Sequence, residues 1–334
     1  MIRRLVLHIG RHKTGTSAVQ RYLAGHRAAY AREGIVVPDF GGDEGPEAEP
    51  ADRAAHHRIA LDCCSGPVEE ARRRADAADG WRARLAGAAE GGHTLVLTSE
   101  AFQNCFDFAA LRVLCRDHYV EMVCYLREYL DYALSAYAQE VKKAGLYSGF
   151  FEFERGFNPQ LGRFVARWET FANRCHWRLY DCSRLAEGDV VQDFLATAGL
   201  PDFGGDRYQS ENPRLGGSLL GFKLLANGAG LHSLRLARAL EPLAAARSDF
   251  RAPWRVGAGR QAQLRAGRDY NATLEGLVGE IRLTDAATGT LPFESPGFAA
   301  DLGAILAALE DFPALRAHPL FALYQESGLC PTVP

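Results

Sequence analysis

Short apolar runs alternate with amphipathic stretches over the first 200 residues of the chain. Each run is typical of a strand buried in a parallel sheet, and the runs cover residues 5–9, 34–38, 93–100, 119–127 and 176–181. Apolar positions at helical spacing predict helices from Thr16 onward and within residues 128–144 and 160–174. Further helices are predicted within residues 51–92, which are rich in Ala and Arg, within 107–118, and within 189–198, where Asp189 and Gly199 suit the two helix ends. Because strands and helices alternate, we predict an α/β fold, a three-layer sandwich around a central parallel sheet.

The pattern changes after Pro201, where the strand signals fade. Helical patterns follow near residues 214–226, 231–246, 260–279 and 298–310. We therefore predict an α/β core over residues 1–200, with a helical insertion at 41–92. Residues 201–334 are predicted to form a mostly helical C-terminal part of the same domain, or a lobe. The aromatic-rich residues 145–159 have two interpretations, a lid or acceptor-binding loop and a hydrophobic cluster.

The first strand leads into a glycine-bearing loop, Gly10–Ser17, which reads G-R-H-K-T-G-T-S. Gly10 and Gly15 allow the backbone to approach a ligand closely. The first amides of the following helix have no partner within the helix, and the helix dipole favours negative charge at that end. The loop adds one positive charge and several hydroxyl donors, from Lys13, Thr14, Thr16 and Ser17. This combination predicts a P-loop-like site for a phosphate group.

The positive charge is displaced from its place in the nucleotide triphosphatase motif, G-x-x-x-x-G-K-[ST]. Thr16 stands where that motif has its lysine, and Lys13 lies three residues earlier. The run Lys13–Ser17 after a strand resembles the 5′-phosphosulfate loop of the sulfotransferases that use 3′-phosphoadenosine 5′-phosphosulfate. The resemblance implies that Lys13 is catalytic and contacts the leaving 5′-phosphate. It also implies a set of donor-binding residues, namely Arg11, His12, Lys13, Thr14, Gly15, Thr16 and Ser17.

A second part of the resemblance lies after the predicted fourth strand. Arg127 ends that strand, and Ser135 follows eight residues later, two turns into the next helix. In the family, an Arg and a Ser at this spacing hold the 3′-phosphate of the donor. The chemistry suits this role, because a guanidinium forks onto phosphate oxygens and a hydroxyl supplies a further donor.

Two residues are candidates for the base that takes a proton from the acceptor. Glu100 ends the predicted third strand, and chemistry collects at the carboxyl ends of parallel strands. If the first and third strands are neighbours, Glu100 and Ser99 lie beside the phosphate loop. Many sulfotransferases that act on sugars use a Glu near such a strand end and others use a His, which brings in His57 of the His56–His57 pair.

Composition narrows the possible partners. The net charge of −3 does not favour a general nucleic-acid binder. No apolar run approaches the roughly 18 residues needed to cross a bilayer, and the short run after Met1 does not resemble a signal peptide, so we expect a cytoplasmic protein. The eight cysteines include no C-x-x-C pair and are interpreted as free, buried thiols.

The resemblance implies a sulfotransferase that moves the sulfuryl group of 3′-phosphoadenosine 5′-phosphosulfate to an acceptor hydroxyl by in-line displacement. By analogy the acceptor is a carbohydrate, a glycolipid or a small metabolite. No metal is expected to be required, and the oligomeric state stays open. Two alternatives remain: a P-loop-like nucleotide kinase or triphosphatase, and a catalytically inactive relative that binds nucleotide.

Overall fold

A computed structural model describes most of the chain, namely residues 3–11, 14–40, 55–65, 70–205, 215–254, 256–283 and 298–321. The described residues divide into two compact units. The first unit takes in those within Met1–Arg127, Gln160–Ser210 and Thr273–Glu280. The second takes in those within Glu128–Pro159, Glu211–Ala272 and Ile281–Pro334. The domain boundary predicted at residue 200 stays a prediction.

The first unit contains a five-stranded parallel sheet, which confirms the predicted α/β fold at this level. Its strands are β1 (Arg3–His8), β2 (Ile35–Val36), β3 (Thr94–Thr98), β4 (His118–Leu126) and β5 (Arg174–Leu179). They lie in the order β2-β3-β1-β4-β5. All five predicted strands are present. Because β1 is the central strand, the loop that follows it leaves the middle of the sheet.

Helices make up most of the remaining described structure. In chain order they are α1 (Thr16–Gly25), α2 (Arg27–Arg32), α3 (His57–Cys64), α4 (Ala71–Ala88), α5 (Ala109–Cys115), α6 (Tyr129–Gln139), α7 (Phe150–Gly156), α8 (Leu161–Phe171), α9 (Val190–Ala198), α10 (Gly217–Gly228), α11 (Leu234–Ala239), α12 (Glu241–Ala246), α13 (Ala258–Ala266), α14 (Tyr270–Val278), α15 (Phe298–Ala307) and α16 (Pro313–Arg316). A 3₁₀ turn, Glu100–Asn104, follows β3, and a π-helical turn, Glu140–Ala144, extends α6. No helix among these described residues is long and apolar enough to cross a membrane.

Alternating side chains of the sheet build the core of the first unit. Val6, Val96 and Val123 are fully buried in one cluster with residues of α1 and α9. On α8 the apolar residues recur every three or four positions, and its buried face includes Phe164 and Trp168. The cysteines within the described ranges are free and mostly buried, as predicted.

The second unit is built from helices around its own apolar core, which includes Tyr137, Phe222 and Phe298. Two predicted helices are each broken into two. Residues 231–246 form α11 and α12, because Pro242 in the first turn of α12 cannot donate to a preceding turn. Residues 260–279 fall into α13 and α14, with Gly267 after the end of α13. In residues 145–159, Phe150 is buried in the core, which supports the hydrophobic-cluster interpretation.

Candidate functional site

The carboxyl ends of three adjacent strands carry the candidate residues of the first unit. In the sheet register, His8 at the end of β1 pairs with Thr98 of β3 and with Val123 of β4. Beyond this point the Ser99 amide donates to the His8 carbonyl at 3.1 Å, and the Ile9 amide donates to the Val123 carbonyl at 3.0 Å. The segments after β1 and β3 therefore leave the sheet side by side, and the predicted adjacency is confirmed.

One side-chain hydrogen bond and one glycine at positive φ fix the described part of the loop after β1. The Thr14 hydroxyl donates to the Arg11 carbonyl at 2.7 Å. Gly15 has a φ of +78°, in the left-handed region that favours glycine. A Cβ atom on Gly15 would lie 2.8 Å from Val190 and 2.9 Å from the ring of Tyr180. Position 15 therefore requires glycine for two reasons: its backbone angle and the close packing around it.

Helix α1 begins directly after this glycine. The Ala18 and Val19 amides donate to the Gly15 carbonyl, while the amides of Thr16 and Ser17 belong to the first turn, which has no acceptor inside the helix. The N-terminus of α1 therefore offers backbone donors and positive potential to an anion.

The Thr16 side chain adds a hydroxyl group at this N-terminus. Thr16 is only 6% exposed, and its Oγ1 has no hydrogen-bond partner among the described residues. A Cβ atom on Gly10 would lie 1.8 Å from this oxygen, so Gly10 is needed to let the two segments approach. A buried hydroxyl without a partner costs free energy, and a bound ligand that accepts its proton removes that cost.

Arg127 follows β4 and is supported by an aromatic ring. Its guanidinium carbon lies 4.5 Å from the ring centroid of Tyr180, and the Tyr180 amide donates to the Leu126 carbonyl at 2.7 Å. The same ring is the one that blocks a side chain at Gly15. Tyr180 therefore links the arginine to the phosphate loop. Tyr180 was not among the residues predicted from the sequence, although its place directly after β5 was the available signal.

Other predicted donor-binding residues have different surroundings. The guanidinium of Arg11 lies 4.6 Å from the ring centroid of Phe164 on α8. Ser17 is exposed, and His12 and Lys13 lie outside the described residues. Ser135 is buried on α6 in the second unit, whereas Arg127 belongs to the first. Their joint contact with one phosphate stays a prediction.

Glu100 and His57 are brought together with α1 by two polar side chains. The Ser99 hydroxyl accepts from the Ala101 amide at 3.0 Å, and its oxygen lies 2.7 Å from Nδ1 of His57. Nε2 of Gln20, on α1, donates to a carboxylate oxygen of Glu100 at 3.4 Å. If His57 Nδ1–H donates to Ser99, Nε2 is the ring nitrogen without a proton in the neutral tautomer.

The neighbouring His56 has a structural role. Its Nδ1 accepts from the Thr98 amide at 3.0 Å, so its Nε2 carries the proton and donates to the Pro38 carbonyl at 3.1 Å. Burial lowers the pKa of His56 to about 4, which keeps the ring neutral. His56 thereby fixes the start of α3 against the end of β3, and so places His57 beside Ser99.

Another buried histidine lies within the sheet itself. His8 is fully buried at the end of β1, and its Nδ1 lies 2.9 Å from Oγ1 of Thr98. Burial lowers the pKa of His8 to about 3. The ring is therefore neutral, and a base role is not assigned to it.

Comparisons of the chain with models of protein families, with curated proteins and with solved structures found no match. The described residues hold no group of three or more His, Cys, Asp or Glu side chains arranged to bind a metal ion. The interpretation of the site therefore depends on its geometry and on the motif in the loop.

Proposed function

We propose that the protein is a sulfotransferase that transfers the sulfuryl group of 3′-phosphoadenosine 5′-phosphosulfate to an acceptor hydroxyl. The observation that carries this proposal is the buried Thr16 hydroxyl at the N-terminus of α1, which has no partner in the described structure. Gly10 and Gly15 hold it in a loop whose sequence resembles a 5′-phosphosulfate loop. An anionic donor group would accept from this hydroxyl and from the first amides of the helix.

The residue at position 16 favours this function over a nucleotide kinase or triphosphatase. In the P-loop motif that position is a lysine, which reaches the β- and γ-phosphates. Here it is a threonine, buried and packed against Gly10. The positive charge of the loop belongs instead to Lys13, which in the proposed reaction neutralises the charge that develops on the leaving phosphate oxygen.

Arg127 is proposed to bind the 3′-phosphate of the donor. Its stacking on Tyr180 orients the guanidinium, whose planar fork of donors matches the oxygens of a phosphate. Ser135 is proposed as a second donor to the same phosphate. The adenine-binding residues are not assigned.

In the proposed reaction the acceptor oxygen bonds to sulfur while the bond between sulfur and the 5′-phosphate oxygen breaks. The hydroxyl proton passes to the carboxylate of Glu100 or to Nε2 of His57, and the leaving phosphate keeps the bonding electron pair. Ser99 contacts His57 and Gln20 contacts Glu100, and both contacts lie at the carboxyl ends of the strands, beside the segment that begins the phosphate loop. Either side chain is therefore a candidate for the base. No metal ion is included in the proposal.

Calorimetric titration with 3′-phosphoadenosine 5′-phosphate, the desulfated donor, tests this proposal. Wild-type protein is expected to bind the bisphosphate with a Kd on the order of micromolar. Arg127→Ala is expected to weaken binding at least about tenfold, because a charge-assisted contact is lost. Arg72→Ala removes an equal charge from an exposed site on α4 and serves as the matched control. Equal binding by all three proteins would reject the assigned site, and no binding by the wild type would reject the function.

A further inference from the structure

Three arginines form a row along the outer side of α8, and we call them the arginine ridge (Arg112, Arg163 and Arg167). Arg163 and Arg167 lie four residues apart on one face of α8, a rise of about 6 Å. Arg112, on α5, reaches the same helix, because its guanidinium donates to the Thr170 carbonyl at 2.7 Å. The ridge therefore follows about 10 Å of the helix axis.

Aromatic rings, not carboxylates, support two of these guanidinium groups. The guanidinium carbon of Arg167 lies 4.7 Å from the ring centroid of Phe106, a side chain that is 75% exposed. That of Arg112 lies 5.7 Å from the ring centroid of Phe171. A guanidinium stacked on a ring keeps its N–H donors at its edge, where they can reach an anion.

The ridge carries positive charge that the described structure does not neutralise. None of its three arginines forms an ion pair with a carboxylate in the described ranges, whereas Arg74, Arg82 and Arg178 of the same unit each do. Burial and the nearby Arg163 lower the pKa of Arg167, as expected for two close like charges.

The one acidic residue of α8 does not balance this charge. Glu169 lies two residues from Arg167, so the two side chains leave the helix on different faces. The Glu169 carboxylate accepts from Nε1 of Trp177 at 3.3 Å. Neighbouring like charges without a counter-charge favour the binding of an anion.

Helix α8, which carries two arginines of the ridge, also contacts the candidate site of the first unit. Phe164, next to Arg163 on α8, stacks against Arg11 of the phosphate loop. Phe106, which stacks against Arg167, lies just beyond the 3₁₀ turn that begins at Glu100. The two segments that leave the sheet after β1 and β3 thus both contact α8, and the segment after β3 contacts the ridge itself through Arg167.

We propose that the arginine ridge binds anionic groups of an extended acceptor, and that the acceptor is an acidic oligosaccharide with several carboxylate or sulfate groups. A row of spaced guanidinium groups suits a linear array of such anions, each of which can take a forked contact. A neutral sugar would leave the charges of the ridge unbalanced. The identification of this ligand as the acceptor rests on the proposed function, whereas anion binding by the ridge does not.

The test measures binding of labelled oligosaccharides by fluorescence anisotropy. The probes are a galacturonate oligosaccharide, a sulfated oligosaccharide and a neutral glucose oligosaccharide of equal length. Wild-type protein is expected to bind an acidic probe and not the neutral one. Binding should weaken as salt rises from about 50 to about 200 mM, because counterions are released on binding. The preferred acidic probe tells carboxylate from sulfate recognition.

Variants of the ridge make the test specific. Arg163→Gln/Arg167→Gln is expected to weaken acidic-probe binding at least about tenfold, because two charge-assisted contacts are lost. Arg72→Gln is the matched control and should bind as the wild type does. Arg163→Gln alone changes an exposed side chain and keeps the test usable if the double variant does not fold. Unchanged binding in the ridge variants, or equal binding of the neutral probe, would overturn the proposal. So would stronger binding of a single-stranded RNA probe than of either acidic sugar.

Titration of the same variants with 3′-phosphoadenosine 5′-phosphate separates this inference from the proposed function. The ridge variants are expected to bind the bisphosphate as the wild type does. Ridge-dependent sugar binding in a protein that does not bind the bisphosphate would support anion binding and reject the sulfotransferase. Bisphosphate binding with ridge-independent sugar binding would reject the ridge and leave the donor site in place.

Discussion

Replacing Thr16 with valine removes one hydroxyl and leaves a side chain of similar shape. In the unliganded protein this hydroxyl is buried and has no partner in the described structure. A buried polar group without a partner costs about 1–3 kcal/mol, so its removal stabilises the protein. The methyl group that replaces the hydroxyl is only slightly larger and packs against Gly10, so its crowding is expected at the lower end of the usual range, about 1 kcal/mol. The free energy of unfolding is therefore expected to stay the same or to rise by up to about 2 kcal/mol.

Although Thr16→Val is not expected to lower stability, it is expected to weaken ligand binding. A hydrogen bond to a charged group contributes about 1.5–3 kcal/mol, and each 1.4 kcal/mol is a factor of ten. Thr16→Val should therefore weaken the binding of 3′-phosphoadenosine 5′-phosphate by about 10- to 150-fold. Thr16→Ser is the matched control, because it keeps the hydroxyl and loses only a methyl group. It should keep most of the affinity and lose about 1 kcal/mol of stability.

The assay combines calorimetric titration with urea unfolding of the unliganded proteins. Loss of the hydroxyl is expected to lower the affinity for the bisphosphate without lowering the free energy of unfolding. If Thr16→Val binds the bisphosphate as tightly as the wild type, the hydroxyl does not serve a ligand. If it also lowers the urea midpoint, the hydroxyl has a structural partner, and the basis of the proposed function is lost.

Three further predictions follow from the same geometry. Gly15→Ala should destabilise the protein by more than about 2 kcal/mol in urea unfolding. Gly199→Ala is the control, because Gly199 is also at positive φ but has open space around it, and it should cost only about 1 kcal/mol. Equal losses would show that the packing around Gly15 does not matter. If Glu100 is the base, Glu100→Gln should lower kcat by about 100-fold or more and leave bisphosphate binding unchanged, while His57→Gln has a much smaller effect on kcat. A large loss of kcat in His57→Gln and a small one in Glu100→Gln would assign the role to His57. His8 has a pKa of about 3 in the folded protein and an ordinary pKa of about 6.5 in the unfolded chain, so between these values only the unfolded chain gains the proton. The free energy of unfolding is therefore expected to fall by about 2 kcal/mol between pH 7 and pH 5, and further as the pH falls towards 3. His8→Asn should remove that part of the pH dependence, and a pH profile identical to the wild type would show that burial of His8 is not its cause.

The sheet was largely predictable because its strands are local features. The buried strands β1, β3 and β4 are mainly apolar runs, and such runs can be recognised without any contact information. The loop and helix after β1 were equally clear, because glycines and hydroxyl residues follow a strand directly. The breaks between α11 and α12 and between α13 and α14 were missed, because helical spacing continues across both.

The contacts that complete the site were less predictable, since they join residues far apart in the chain. Gly15 is restricted by Tyr180 and Val190, and no local pattern marks those residues as its neighbours. The link from Gln20 to Glu100 depends on β1 and β3 being adjacent, which is a property of strand order. The position of Glu100 beside the loop was therefore predictable only on the condition that these strands pair.

Separate titrations with two nucleotides test the central claim most directly. The wild-type protein is titrated with 3′-phosphoadenosine 5′-phosphate without magnesium and, in a separate experiment, with ATP and magnesium. The site built around Thr16 and Arg127 is expected to bind the bisphosphate on the order of micromolar and ATP far more weakly. Binding of ATP with magnesium, and no binding of the bisphosphate, would contradict the sulfotransferase account and favour a nucleotide kinase or triphosphatase.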